Sequence, residues 1–277
     1  MDGCINIWNL FYRYKYPVQK SKTLLIGINY LDSENKSSKN INDAFKLKQF
    51  LLDRQYFDKN DITVMCDTAN KNDKTFTSRK NIMDQLNELL NFARKFYRTT
   101  LFVAFSGRMI NTGNKDSPLA LLTSDGVITK DDIFNNFLAQ LPYSTEIFML
   151  FDTNQINPFF ELKYRYNCDE KNTYNVIDQS VQLGCNGIVL NGCRHNDYLI
   201  NLLGVSDKDE IQDDGALIYA FLAIYNERIS IRNLILGIKQ WFYKNNPKQI
   251  PNISSSKLLY INKITVGSLL KYQYETI

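Results

Sequence analysis

Apolar runs about one strand long recur along the chain, and each stops abruptly at polar residues. Thr23 to Ile28, Asp61 to Cys66, Thr100 to Phe105, Ile147 to Asp152, Gly187 to Asn191 and Leu258 to Ile264 are predicted strands. Between them the apolar positions move to helical spacing. Asn42 is placed to cap a helix with Ala44, Phe45, Leu47, Phe50 and Leu51 on its apolar face. Thr77 or Ser78 opens a second helix through Ala93, with Ile82, Leu86, Leu89 and Leu90 on one side. Thr129 to Leu138, Gly215 to Tyr225 and Ile231 to Tyr243 predict three more. Leu119 to Leu122 reads as a hairpin or edge strand before a turn at Asp125-Gly126, and Asn167 to Asn172 as a loop. Strands alternating with helices over the whole length argue for an α/β domain with a mainly parallel sheet and helices on both faces.

The remaining composition narrows the class without naming a role. A chain of 277 residues can bury a sizeable core as one domain. We read residues 1–21 as an extension, crowded with Trp8, Phe11, Tyr12, Tyr14 and Tyr16, that packs on the body or occupies a groove; residues 22–277 form the single domain. A net charge of +4 with lysines spread along the chain does not call for a nucleic-acid partner. No apolar run approaches the roughly 20 residues needed to span a bilayer, so no membrane role is expected. Five cysteines, an odd number without a CxxC pair, argue against a disulfide framework or zinc site and for reduced thiols. The expected location is intracellular, in the cytoplasm. The abundance of Asn, Lys and Ile suggests an AT-rich genome.

Two strand ends carry the argument about chemistry. One reads Leu101-Phe102-Val103-Ala104-Phe105-Ser106-Gly107-Arg108, the other Glu146-Ile147-Phe148-Met149-Leu150-Phe151-Asp152-Thr153-Asn154-Gln155. Reactive groups of parallel-sheet proteins collect at the carboxyl ends of neighbouring strands. These two frames resemble those of the metacaspases, hydrophobic-Ser-Gly-His-Gly for the base and hydrophobic-Asp-Ser-Cys-His for the nucleophile. Other segments resemble the family in the same order. Leu24 to Tyr30 is similar to ALLIGINY, Ile41 to Ala44 to CINDA and Thr77 to Ile82 to TRANI. Asn191-Gly192-Cys193 is similar to the SGC strand, Gly215 to Phe221 to GALTYAF and Pro251 to Ser256 to PQLSSS. The resemblance implies a caspase-like three-layer sandwich of clan CD with a mainly parallel six-stranded central sheet.

The departures from the family pattern concern the chemistry itself. Arg108 stands at the histidine position and Asn154 at the cysteine position. A cysteine peptidase needs a thiolate and a base that cycles its proton near neutral pH. A guanidinium stays protonated, and an amide offers no ionisable nucleophile. Met109 replaces the glycine that contributes oxyanion-binding backbone in active relatives. The resemblance also implies an acidic first specificity pocket. Asp43 matches one of its acids, but the cysteine before it is Asn40 and the acid expected after Cys193 is His195, so the pocket is partly dismantled. Asp152 completes this vestigial cleft at the next strand end. The calcium loop of the relatives corresponds to Asn111 to Ser124, which holds only Asp116, with Asp125 beyond it; calcium wants several hard oxygen ligands. We therefore expect no metal site and no cofactor.

Lesser features have ordinary explanations. Cys193 and His195 share a strand face, yet such neighbours seldom combine nucleophile geometry with an oxyanion hole. Asp213-Asp214 suits a helix N-terminus, and Phe159-Phe160 suits packing beneath the loop that carries substrate contacts in relatives. The expected function is a catalytically inactive, calcium-independent metacaspase homologue that binds an unidentified protein partner as a monomer and acts as a binding, regulatory or structural module. The alternative is a residual hydrolase with a non-standard nucleophile.

Overall fold

A computed structural model of the chain describes residues 20–33, 36–114, 118–153, 157–167, 173–177, 182–194, 216–245 and 249–271. The apolar runs become the strands of one large sheet. These are β1 (Lys20–Gly27), β2 (Ile62–Cys66), β3 (Thr99–Ser106), β7 (Thr145–Asp152) and β10 (Asn186–Arg194), with β11 (Gln249–Ser255), β8 (Tyr164–Tyr166) and β9 (Tyr174–Val176) beyond them. Their spatial order is β2-β1-β3-β7-β10-β11-β8-β9. The first five run parallel, and β11, β8 and β9 pair antiparallel. A separate small sheet of β4 (Met109–Asn111), β5 (Leu119–Leu122) and β6 (Val127–Thr129) follows β3, with the predicted turn at Asp125-Gly126 closing its second hairpin.

The central strands are apolar throughout because both of their faces are covered. Leu101, Val103 and Phe105 of β3 point to one side and join Ile147, Met149 and Phe151 of β7. That side is closed by α2 (Arg79–Lys95) through Ile82, Leu86, Leu89 and Leu90, and by α3 (Lys130–Asn136). Phe102 and Ala104 point to the other side with Phe148 and Leu150. There α1 (Asn40–Asp53), α4 (Leu217–Ile224), α5 (Ile231–Asn245) and α6 (Val266–Lys271) complete the third layer. Phe102 and Phe148 stack at 5.6 Å between ring centroids across β3 and β7.

Five expectations need correction. The sheet has eight strands, not six, because the short β8 and β9 extend it past β11. The last strand is Gln249–Ser255, whereas Leu258 to Ile264 forms the turns before α6. The polar segment becomes a strand because β10 offers it an antiparallel edge and its serines find backbone partners; Ser254 Oγ accepts the Leu162 N–H at 3.0 Å. Helix α1 starts at Asn40 rather than after Asn42, since Asn29 Oδ1 reaches across from the β1 loop to accept the Ile41 N–H at 3.1 Å. Phe45 is 48% exposed, because Ala44, Leu47 and Leu51 face the sheet and Phe45 lies about 100° around the helix from Ala44. Residues 1–19 of the N-terminal extension, the Asp213-Asp214 pair, and residues 168–172 of the expected loop lie outside the described residues, while Lys20 and Ser21, expected in the extension, already belong to β1.

Candidate functional site

The carboxyl ends of β1, β3, β7 and β10 meet in register. Gly27 pairs with Ser106, Ser106 with Asp152, and Asp152 with Gly192. Arg108 leaves β3 two residues after Ser106, and the Gly107 N–H still donates to the Asp152 carbonyl at 3.2 Å. The chain leaving β7 beside it leads through Thr153 towards Asn154, which lies outside the described residues.

The centre of this end of the molecule is Tyr30. Its backbone is left-handed, with φ of 54°, a conformation that bulky residues rarely adopt outside tight or functional turns. The loop is held there from outside: the Asp67 carboxylate accepts the Asn29 N–H at 3.0 Å and the Leu31 N–H at 3.1 Å. The buried Tyr30 hydroxyl accepts the Arg108 backbone N–H at 2.6 Å and donates to the Leu122 carbonyl at 3.2 Å. It ties the β1 loop to the β3 exit and to the small sheet. The half-buried Arg108 turns its guanidinium over the same ring, 5.2 Å from the centroid, a cation–π distance. Gly107 permits this approach, since a Cβ there would stand 2.7 Å from the Tyr30 hydroxyl.

Beneath that layer is a buried polar cluster. Ser106 Oγ lies 3.3 Å from Asn40 Oδ1 and 3.4 Å from Asp43 Oδ2. The Asn40 amide donates to the Ile28 carbonyl at 2.6 Å. Asn40, Asp43 and Ser106 are 0%, 5% and 1% exposed, so this acid faces the interior. Asp152 is also fully buried, and its Oδ2 accepts the Ile218 N–H at 2.8 Å at the start of α4. It joins the end of β7 to the helix that covers it. Cys193 continues β10 opposite Ile250, and His195 lies outside the described residues.

Phe159 and Phe160 are buried as anticipated, stacked edge to face at 4.7 Å and packed on Phe151. Asn191 holds them, accepting the Phe159 N–H at 3.2 Å and donating to the Phe160 carbonyl at 3.0 Å. Sequence reasoning missed the roles of Tyr30, Asp67 and Asn191. A polar residue at the end of each strand was the available signal, but the partners lie 38, 78 and 32 residues away. The described free cysteines are not placed like a nucleophile. Cys185 precedes β10 at the far end of the sheet, where burial pushes its thiol up to about 11, and Cys66 closes the edge strand β2 with Thr68 at 3.1 Å.

A mainly parallel sheet covered on both faces, with β3 and β7 ending side by side, is the frame of a caspase-like protein. A profile of the metacaspase, peptidase C14 domain matches residues 21–163, just over half of the chain. The chain therefore belongs to the metacaspase family. It is 25% identical to Metacaspase-1 of Schizosaccharomyces pombe over 308 aligned residues, covering 92% of this chain and 71% of that protein. It is 32% identical to Metacaspase-7 of Arabidopsis thaliana, over 48% of this chain and 34% of that one. Metacaspase-1 of Cryptococcus neoformans matches at 28% over 57% of this chain, which spans 36% of the relative. Among solved structures, a Geobacter sulfurreducens protein superposes with a TM-score of 0.59 at 13% identity, over 90% of this chain and 98% of that one. The structure of pro-Sf-caspase-1 does so with 0.51 at 12%, over 90% and 92%. Both likenesses are to the fold.

Proposed function

We propose that this metacaspase homologue is catalytically inactive and serves as a binding, regulatory or structural module for a protein partner. The observation that carries the reading is Arg108. Its sequence motif matches it to the family's base, a guanidinium cannot accept a proton, and its packing on Tyr30 supports a structural use of the side chain. Asn154 at the nucleophile position supports it from the sequence. A hydrolase with another nucleophile finds little support in the neighbouring hydroxyls, because Ser106 and Thr153 are 1% and 2% exposed. Neither a nucleic-acid nor a membrane role is part of the proposal. Among the described residues no helix is long and apolar enough to cross a membrane.

The test is incubation of the full chain with fluorogenic peptides ending in Arg, Lys or Asp, with and without calcium. No turnover and one intact band are expected. A cysteine-reactive probe should label without dependence on peptide substrate. Specific cleavage after Lys or Arg that is abolished by changing one named side chain would overturn the proposal.

A further inference from the structure

A chemically mixed cavity lies at the opposite, amino end of the sheet from Arg108. It has a volume of about 520 Å³, within the range of small-molecule sites. It opens where β7 and β10 begin: Glu146 pairs with Asn186, and both line the space. Phe148, Ile188 and Leu259 give it an apolar floor. Two charged side chains of opposite sign line it, Glu146 and Lys257.

The Glu146 carboxylate is half satisfied. The Asn186 amide hydrogen-bonds to it, while Oε2 is buried with no partner among the described residues. An unmet buried acceptor costs free energy that a bound donor would recover. Lys257 makes no ion pair among the described residues and is exposed, so its ammonium can turn into the cavity mouth. A simple cation placed against Glu146 would meet Lys257, and a simple anion on Lys257 would meet Glu146. Only a ligand carrying both charges satisfies the two ends without repulsion.

We propose that this cavity binds a small zwitterion of the apolar amino-acid class. Its ammonium would donate to Glu146 Oε2, its carboxylate would pair with Lys257, and its side chain would rest on Phe148, Ile188 and Leu259. The site is separate from the degenerate dyad and does not depend on the activity assigned to it.

The experiment titrates L-phenylalanine, 2-phenylethylamine and 3-phenylpropionate into the full chain at pH 8, read by calorimetry and by amide chemical shifts. The amine lacks the carboxylate and the acid lacks the ammonium. L-phenylalanine should bind at least about tenfold more tightly than either, with shifts confined to the starts of β7 and β10. Glu146→Gln should weaken L-phenylalanine about tenfold and leave 3-phenylpropionate unweakened; Lys257→Ala should do the same relative to 2-phenylethylamine. Leu259→Trp, which fills the floor, should remove binding of all three. Equal affinity for the three compounds, or no binding at roughly 20 mM, would overturn the proposal.

Discussion

The guanidinium of Arg108 lies 5.2 Å from the centre of the Tyr30 ring, and the hydroxyl of the same tyrosine accepts the Arg108 backbone N–H at 2.6 Å. One residue is thus held twice by another 78 positions away. The side-chain contact is a partly solvated cation–π pair and the backbone contact a hydrogen bond to a buried tyrosine, so their energies differ. Arg108→Ala should cost about 0.5–1 kcal/mol, the worth of a partly exposed cation–π pair. Tyr30→Phe should cost about 1–3 kcal/mol, because it strands the Arg108 N–H and the Leu122 carbonyl. Urea midpoints of the two variants check the order; a larger loss for Arg108→Ala would mean that the cation is tightly paired.

Under the proposed reading, a histidine at position 108 and a cysteine at position 154 should not by themselves supply the family's chemistry. Arg108→His combined with Asn154→Cys is expected to give less than about one-hundredth of the turnover of an active metacaspase, since catalytic groups act as a unit. Met109 remains in place of a glycine, and Asp43 remains turned inward on Ser106. Single-turnover cleavage of an Arg-containing peptide is the measurement.

Asp152 should be indispensable to the fold. Its buried carboxylate accepts the Ile218 N–H at 2.8 Å. Asp152→Ala would orphan that donor and open space under α4, at a cost of about 2–4 kcal/mol. Hydrogen exchange should show early opening of Leu217–Ile224 in this variant, and unchanged protection there would contradict the assigned role.

Stability should fall as pH rises through the range set by Glu146. Burial pushes its carboxyl up from 4.5 to about 7, against the opposing pull of Asn186, Arg98 and Lys257. Tyr97 and Tyr143 face it across a smaller adjoining cavity. The raised value means that the folded state keeps a proton which the unfolded state has already released. Stability contributed by that proton is present below pH 4.5, declines between 4.5 and about 7, and is gone above. Screening at its partly solvated edge trims the loss to about 1–2 kcal/mol. Denaturation at pH 5 and pH 8 should show this difference in the wild type and a smaller one in Glu146→Gln.

Gly27 tests the junction of β1 and α1. A Cβ there would stand 2.4 Å from the Asn40 carbonyl oxygen, which belongs to backbone and cannot swing away. Gly27→Ala should therefore cost about 3 kcal/mol, at the upper end of overpacking losses. A midpoint within about 0.5 kcal/mol of the wild type would show that α1 can shift freely.

The alternation of apolar runs and helical faces determined the α/β class and most of the parallel strands. A strand covered on both sides must be apolar throughout, so Leu101 to Phe105 and Ile147 to Phe151 announce themselves without reference to any other residue. Sequence also supplied the ordered motifs of the family, because identity at a position needs no coordinates. Pairing did not follow from it. Gln249–Ser255 is a strand because β10 presents an edge to it, and β8 and β9 extend the sheet because β11 in turn presents one to them. The partners of Arg108, Asp152 and Asn191 were equally hidden, since each contact joins segments that are distant in sequence and are brought together only by the fold. Burial likewise decided the state of Glu146: a glutamate at the start of a strand is ordinary in sequence, and only the packed amino end of the sheet takes water from one of its oxygens.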